Sequence, residues 1–225
     1  MAINNWFSYS TKLYKMNKLL FLLLLISSSV FAQKVEHGIL AGASLGFPLQ
    51  DKNETPAPPV SDFFLYNNDL FGGGMIGYRF RFLPEQKSFF DLDLTAGFQS
   101  LGAFKYKPYM NGGDPNNGYG HFDVEDINDF LLPIAVTATW NYRITDKFHA
   151  GLGVAPKLYV QPHAAFDLSV VAKMGYRVCK HFELGLSYQY GCLNVMKHFN
   201  DGKSQGRKGH LSDLMLSVYI PFSVK

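Results

Sequence analysis

Seven charged side chains stand out because they interrupt stretches that are otherwise oily or small: Arg79, Arg81, Asp91, Asp93, Arg143, Arg177 and Glu183. Residues two apart in an extended chain face the same way, so Arg79 with Arg81, and Asp91 with Asp93, would form two matched pairs on facing strands. Opposite charges enclosed away from water must pair to offset their desolvation. The cluster is therefore expected to be a structural salt-bridge plug rather than a gated ion path. Lys157 and Lys173 share that kind of face but have fewer obvious partners, which makes them the candidates for a ligand-facing charge.

Other reactive residue types give weaker patterns. His210, Ser212 and Asp213 contain the side chains of a hydrolytic triad, but neighbours in a strand alternate faces, so His210 and Ser212 can share a side while Asp213 cannot. The seven histidines lack metal-ligand spacing, and His149 reads as a rim or plug residue. Asp114, Asn116, Asp123, Glu125, Asp126 and Asp129 form an oxygen-rich stretch, but Tyr119 stands where a calcium loop needs its sharp-turn glycine. A solvated loop is expected there, with no metal and no cofactor. Cys179 and Cys192 fall at opposite ends of neighbouring strands, about 30 Å apart at 3.3 Å per residue, too far for a disulfide.

These side chains must be positioned by extended elements. Alternation of period two recurs in eight segments: 39–47, 75–82, 90–99, 134–143, 148–160, 170–178, 182–191 and 213–222. In the last, Leu214, Leu216, Val218, Ile220 and Phe222 alternate with Asp213, Met215, Ser217, Tyr219 and Pro221. The second face of each segment carries Gly, Ser, Thr and a few charges. A sheet packed on a soluble core would put Lys and Glu there instead, whereas small and polar residues suit a crowded barrel interior.

Length and composition agree with that reading. Of 225 residues, 47% are hydrophobic, 16% aromatic and 17% charged, which excludes a disordered chain and leaves fewer charges than an ordinary water-soluble domain carries. Segments of about 9 to 12 residues match a tilted strand crossing hydrocarbon. Aromatics gather at the segment ends, Trp140, Tyr142, Tyr176 and Phe222 toward one rim and Phe47, Phe98, Tyr188 and Tyr190 toward the other, as interfacial girdles do. Short connections (Leu83 to Lys87, Thr145 to Lys147, Cys179 to His181) alternate with long ones (Leu49 to Leu70, Gly102 to Asn128, Asn194 to His210), and only Gln161 to Asp167 is a short connection on the long side. The expected fold is all-β: an eight-stranded antiparallel up-and-down transmembrane β-barrel with short periplasmic turns and longer extracellular loops.

The N-terminus supplies an address. Lys12, Lys15 and Lys18 precede the apolar run Leu19 to Ile26, and Val30-Phe31-Ala32 ends it with small residues, the pattern of a secretory signal peptide cleaved after Ala32. Met16 offers an alternative start, so residues 1–15 are expected to be an upstream extension, 16–32 the signal peptide and 33–225 the barrel domain. Removing three lysines from 21 basic residues leaves 18 against 18 acidic ones, so the mature chain is formally neutral and nothing points to nucleic acid as a partner.

The leader ending Phe31-Ala32-Gln33, the Gly-rich first strand, the segment Phe130-Leu131-Leu132-Pro133-Ile134 and the amphipathic last strand together resemble the small PorT-like outer-membrane β-barrel proteins of the Bacteroidota. The segment Phe130 to Ile134 is similar to that family's Leu-Glu-Ile-Pro signature. The resemblance implies an outer-membrane location and no common activity. The expected role is structural or binding, exercised through extracellular loops toward a surface protein or small ligand, by a monomer embedded in outer-membrane lipid. Phe63, Phe64 and Tyr66 in the first long loop are the candidate contact residues. The alternatives are a soluble, exported calycin-like barrel with an apolar ligand inside, which would need the oily faces turned inward, and a lipid-modifying barrel enzyme. The chain is not expected to be an enzyme.

Overall fold

The structure, a computed structural model, describes residues 35–50, 63–66, 71–108, 122–199 and 209–222. These contain β1 (Val35–Gln50), β2 (Phe63–Tyr66), β3 (Phe71–Phe82), β4 (Ser88–Pro108), β5 (Phe122–Leu131), β6 (Pro133–Arg143), β7 (Phe148–Tyr159), β8 (Ala165–Cys179), β9 (Phe182–Gly191), a single helical turn α1 (Met196–Phe199), and β10 (Gly209–Pro221). The expected leader and upstream extension lie outside the described residues.

All the pairings are antiparallel. The ladder passes from β4 through β3, β1, β10, β9, β8 and β7 to β6, and β6 pairs back onto β4. Eight strands thus close a barrel, which leaves no open edge within the circuit. β5 and β6 are two parts of one long strand, since Leu131 opposite Gln99 and Ile134 opposite Ala96 lie in the same register. The ladder is interrupted at Leu132 because Pro133 has no N–H to contribute. Leu132 bonds across to the far side instead, donating to the Gln161 carbonyl at 3.4 Å and accepting from the Val160 N–H at 3.0 Å.

One connection differs from expectation. Gly102 to Asn128 reads as a loop, but β4 and β5 remain paired up to Pro108 and Phe122, and Phe63–Tyr66 adds as β2 against β4. Strand-forming residues such as Phe104, Tyr106, Val124 and Ile127 let a ladder begun in the barrel continue beyond it. The side chains of this extension, Phe63, Phe64 and Tyr66 included, lie outside the described residues, as do those of Asp123, Glu125, Asp126 and Asp129. Asp114 and Asn116 are outside them altogether.

The two faces of each strand are sorted as the alternation requires. Leu152 is 68% exposed, Trp140 65% and Leu216 58%, while Arg81 is 1% exposed, Asp91 0% and Ser217 7%. β8 alternates buried and exposed for twelve successive residues. Such a molecule is inside-out by the standards of a water-soluble domain. Exposed Trp140, Tyr142, Tyr176 and Phe222 ring the short-turn end, and Phe98, Phe130, Phe166, Tyr188 and Tyr190 the other. Phe130 and Phe166 join the girdle beyond the expected set, Phe130 by stacking on Phe98 at 5.9 Å.

The long-loop end has its own closure. Val195, Met196 and Phe199 of the segment after β9 pack with Phe71, Leu101, Leu131, Tyr159, Ala165 and Leu211 into a buried apolar cluster. α1 therefore sits as a cap on the barrel mouth, within a stretch that reads only as a loop. Phe199 meets the Tyr159 ring edge-on at 5.3 Å, and Asp167 ties the cap's approach by accepting from the Leu193 N–H at 3.0 Å.

Candidate functional site

The lumen is where the barrel's polar chemistry is concentrated. Its charges are set by register: Arg79 is directly opposite Asp93 and Arg81 opposite Asp91 on β3 and β4, Arg177 opposite Glu183 on β8 and β9, and Glu36 opposite Arg81 on β1 and β3. Antiparallel pairing makes each of these a cross-strand neighbour before any side chain is placed.

The geometry is that of forked, charge-assisted hydrogen bonds. Arg79 donates to Asp93 through Nε at 2.7 Å and Nη2 at 2.8 Å. Arg81 does the same to Asp91 at 2.7 and 3.0 Å. Glu183 reaches in from the opposite wall and accepts from Arg81 at 2.7 and 2.8 Å, Arg79 at 3.3 Å and Arg177 at 3.0 Å, with His149 Nε2 at 3.1 Å. Arg177 also donates to Glu36 at 2.7 and 3.1 Å, and Lys173 Nζ to Asp91 at 2.6 Å. Four cations, Arg79, Arg81, Lys173 and Arg177, thus meet four carboxylates, Glu36, Asp91, Asp93 and Glu183. The knot is electrically balanced, which is the condition under which buried ions are tolerated.

Aromatic rings fill the remaining space. Tyr219 lies under Arg79 at 4.8 Å and Phe89 under Arg81 at 4.5 Å, each offering its face to a cation. Gly175 belongs to this packing, because a Cβ there would collide with the His149 ring.

Six of the seven residues singled out in the sequence come together here: Arg79, Arg81, Asp91, Asp93, Arg177 and Glu183. Arg143 stays outside this network, donating to the Pro84 carbonyl and lying 5.7 Å from the centre of the Phe89 ring. The reason is position, since Arg143 is the last residue of β6 and its side chain reaches the turn rather than the core. The expectation that Lys157 and Lys173, with fewer obvious partners, present a ligand-facing charge is corrected. Lys173 joins the knot, and Lys157 donates to Asp213 at 2.6 Å, whose other oxygen accepts from Gln99 at 2.7 Å. Both lysines are buried.

Glu36, Asp213 and Tyr219 line the lumen as well. Each lies on the small-and-polar parity of its strand, although Glu36 precedes the first alternating segment and Asp213 adjoins His210 and Ser212. Those three do not converge. Asp213 faces the lumen, His210 stacks on Tyr190 at 6.0 Å, and Ser212 Oγ is buried without a hydrogen-bond partner among the described residues. Between the knot and the Lys157–Asp213 pair lie voids of about 20 and 30 Å³, room for water and little else. Among the described residues no three His, Cys, Asp or Glu side chains are placed to hold a metal. Cys179 and Cys192 are free and exposed.

No protein-family model matches the chain, nor does any characterised protein sequence. Among solved structures it is similar to Ail, the attachment invasion locus protein of Yersinia pestis, at 14% identity over 84% of this chain and 99% of that one, with a TM-score of 0.42. Neisserial surface protein A is 12% identical over 84% and 100%, with a TM-score of 0.43. The outer membrane protease OmpT of Escherichia coli is 10% identical over 84% and 95%, with a TM-score of 0.36. At these identities the likeness concerns the course of the chain, and the closed eight-stranded barrel described above rests on its own strand ladder.

Proposed function

We propose that this chain is an outer-membrane β-barrel protein whose lumen is filled by side chains, and that it acts structurally or by binding through the loops at its long-loop end. The observation that carries this reading is the pairing of an apolar outer belt, bounded by aromatic rims, with a charge-balanced polar interior. Hydrocarbon is the environment that makes both favourable at once. The soluble calycin-like alternative needs the oily faces inside, and Leu152, Trp140 and Leu216 point the other way. A leader at residues 16–32 would supply export, and the short turns then face the periplasm.

Fractionation of expressing cells tests the location. Recovery only after detergent extraction, with gel migration that changes on boiling, is expected, whereas recovery in a soluble fraction without detergent would refute the proposal. In planar bilayers the folded protein is expected to show no steady ion conductance, because the knot and the apolar cap close the lumen at two levels. N-terminal sequencing of the mature protein is expected to begin at Gln33.

A further inference from the structure

The short-turn mouth is unlike the rest of the lumen. It holds a cavity of about 440 Å³, within the range of small-molecule sites and more than ten times the internal voids. All three short turns contribute to it. Arg143, Lys147 and Lys180 stand around the opening against one acid, Asp146. The knot beneath is already balanced, so these rim residues leave two positive charges uncompensated among the lining side chains.

One of these cations has its side chain held in place, and the backbone that carries another is braced. Arg143 is fixed by the Pro84 carbonyl and the Phe89 face. Lys147 follows a turn braced by Thr145, whose Oγ1 accepts from the Phe148 N–H at 3.0 Å, while the Lys147 carbonyl accepts from the Arg177 N–H at 2.7 Å. The wall of the cavity gives a second, independent sign. His149 is 4% exposed, commits Nε2 to Glu183, and leaves Nδ1 buried without a hydrogen-bond partner among the described residues. A buried polar atom left so still has a hydrogen bond to make, to water or to a ligand.

We propose that this mouth binds a small soluble phosphomonoester, whose two negative charges match the surplus at the rim and whose oxygens suit the fork of Arg143. Phospholipid headgroups carry the same chemistry but surround the outer wall, on the wrong side of the strands. That the ligand is periplasmic rests on the membrane reading above; that the mouth binds phosphate does not.

Cys179 lines the cavity and is exposed, so a trifluoromethyl label there, in a Cys192→Ser background, reports occupancy by fluorine NMR. The probe is inorganic phosphate, titrated into the full barrel in a maltoside detergent, with boiling-dependent gel migration as the check that each variant is folded. Saturable binding is expected, weakened about ten-fold by Arg143→Gln and by the double change Lys147→Gln with Lys180→Gln, each losing charge-assisted bonds. Lys87→Gln removes a charge from a short turn outside the cavity and is expected to leave binding unchanged. Absence of saturable binding, or an equal loss in Lys87→Gln, would overturn the proposal. So would a label response that requires phosphatidic acid in phosphatidylcholine vesicles and is not produced by phosphate in solution. Failure of detergent-dependent extraction would instead count against the membrane reading alone.

Discussion

The two ends of the lumen are closed by opposite chemistry. At the short-turn end, four cations and four carboxylates from β1, β3, β4, β8 and β9 lock into one network with Glu183 at its centre. At the long-loop end, a small polar group, Lys157 and Gln99 on Asp213, lies below an apolar cap built on α1. The knot is assembled from strands that register already holds together. The cap is a segment folded back into the mouth, so it can loosen without disturbing the ladder. Charge in the first region is cooperative, and burial in the second is local.

The largest effect is expected from breaking the knot at its centre. Glu183→Gln keeps the shape but leaves Arg79, Arg81 and Arg177 sharing too little negative charge, a cost of about 3–5 kcal/mol as for other broken buried pairs. Urea unfolding of the barrel in lipid bilayers, followed by Trp140 fluorescence, measures it. Next is the outer wall, where Leu152→Arg is expected to cost about 2–4 kcal/mol in the same assay if the residue lies near the bilayer midplane, and much less in a soluble barrel. Met196→Ala in the cap is expected to cost about 2 kcal/mol, at the low end for a buried methionine because the segment can settle into the space. Its signature is faster proteolysis around residue 196 with the barrel ladder intact. The smallest effect sharpens the contrast: replacing Lys157, Asp213 and Gln99 together by Met, Leu and Leu, so that no buried polar partner is orphaned, is expected to change stability by no more than about 1 kcal/mol, whereas Asp213→Leu alone strands a buried ammonium. If the triple replacement costs as much as Glu183→Gln, the upper group is as cooperative as the knot and the contrast fails.

Strand count, face assignment and the positions of the short turns were legible in the residues because each depends on local repetition. Alternation over nine or ten positions states which side chains share a face, and Leu83 to Lys87 or Thr145 to Lys147 is too short for anything but a tight connection. The pairing of Arg79 and Arg81 with Asp93 and Asp91 was legible for the same reason, since one short turn joins their strands. Lys157 and Asp213 were opaque: 56 residues separate them, and they meet only across the width of the closed lumen. The β4–β5 extension was obscured by the glycines and acids around it, which suggest a loop until the barrel below supplies the register.

From its own residues the chain determined that its strands are two-faced and which face is oily, because a period of two is a property of extended backbone and needs no partner. Closure decided the rest. Only when β6 pairs with β4 do walls far apart in sequence face one another, so that Glu183 reaches two arginines from β3, Lys157 finds Asp213, and Arg143 is left at the rim with the turn. Distance across a barrel is set by the number of strands and their stagger, and no local pattern carries that quantity.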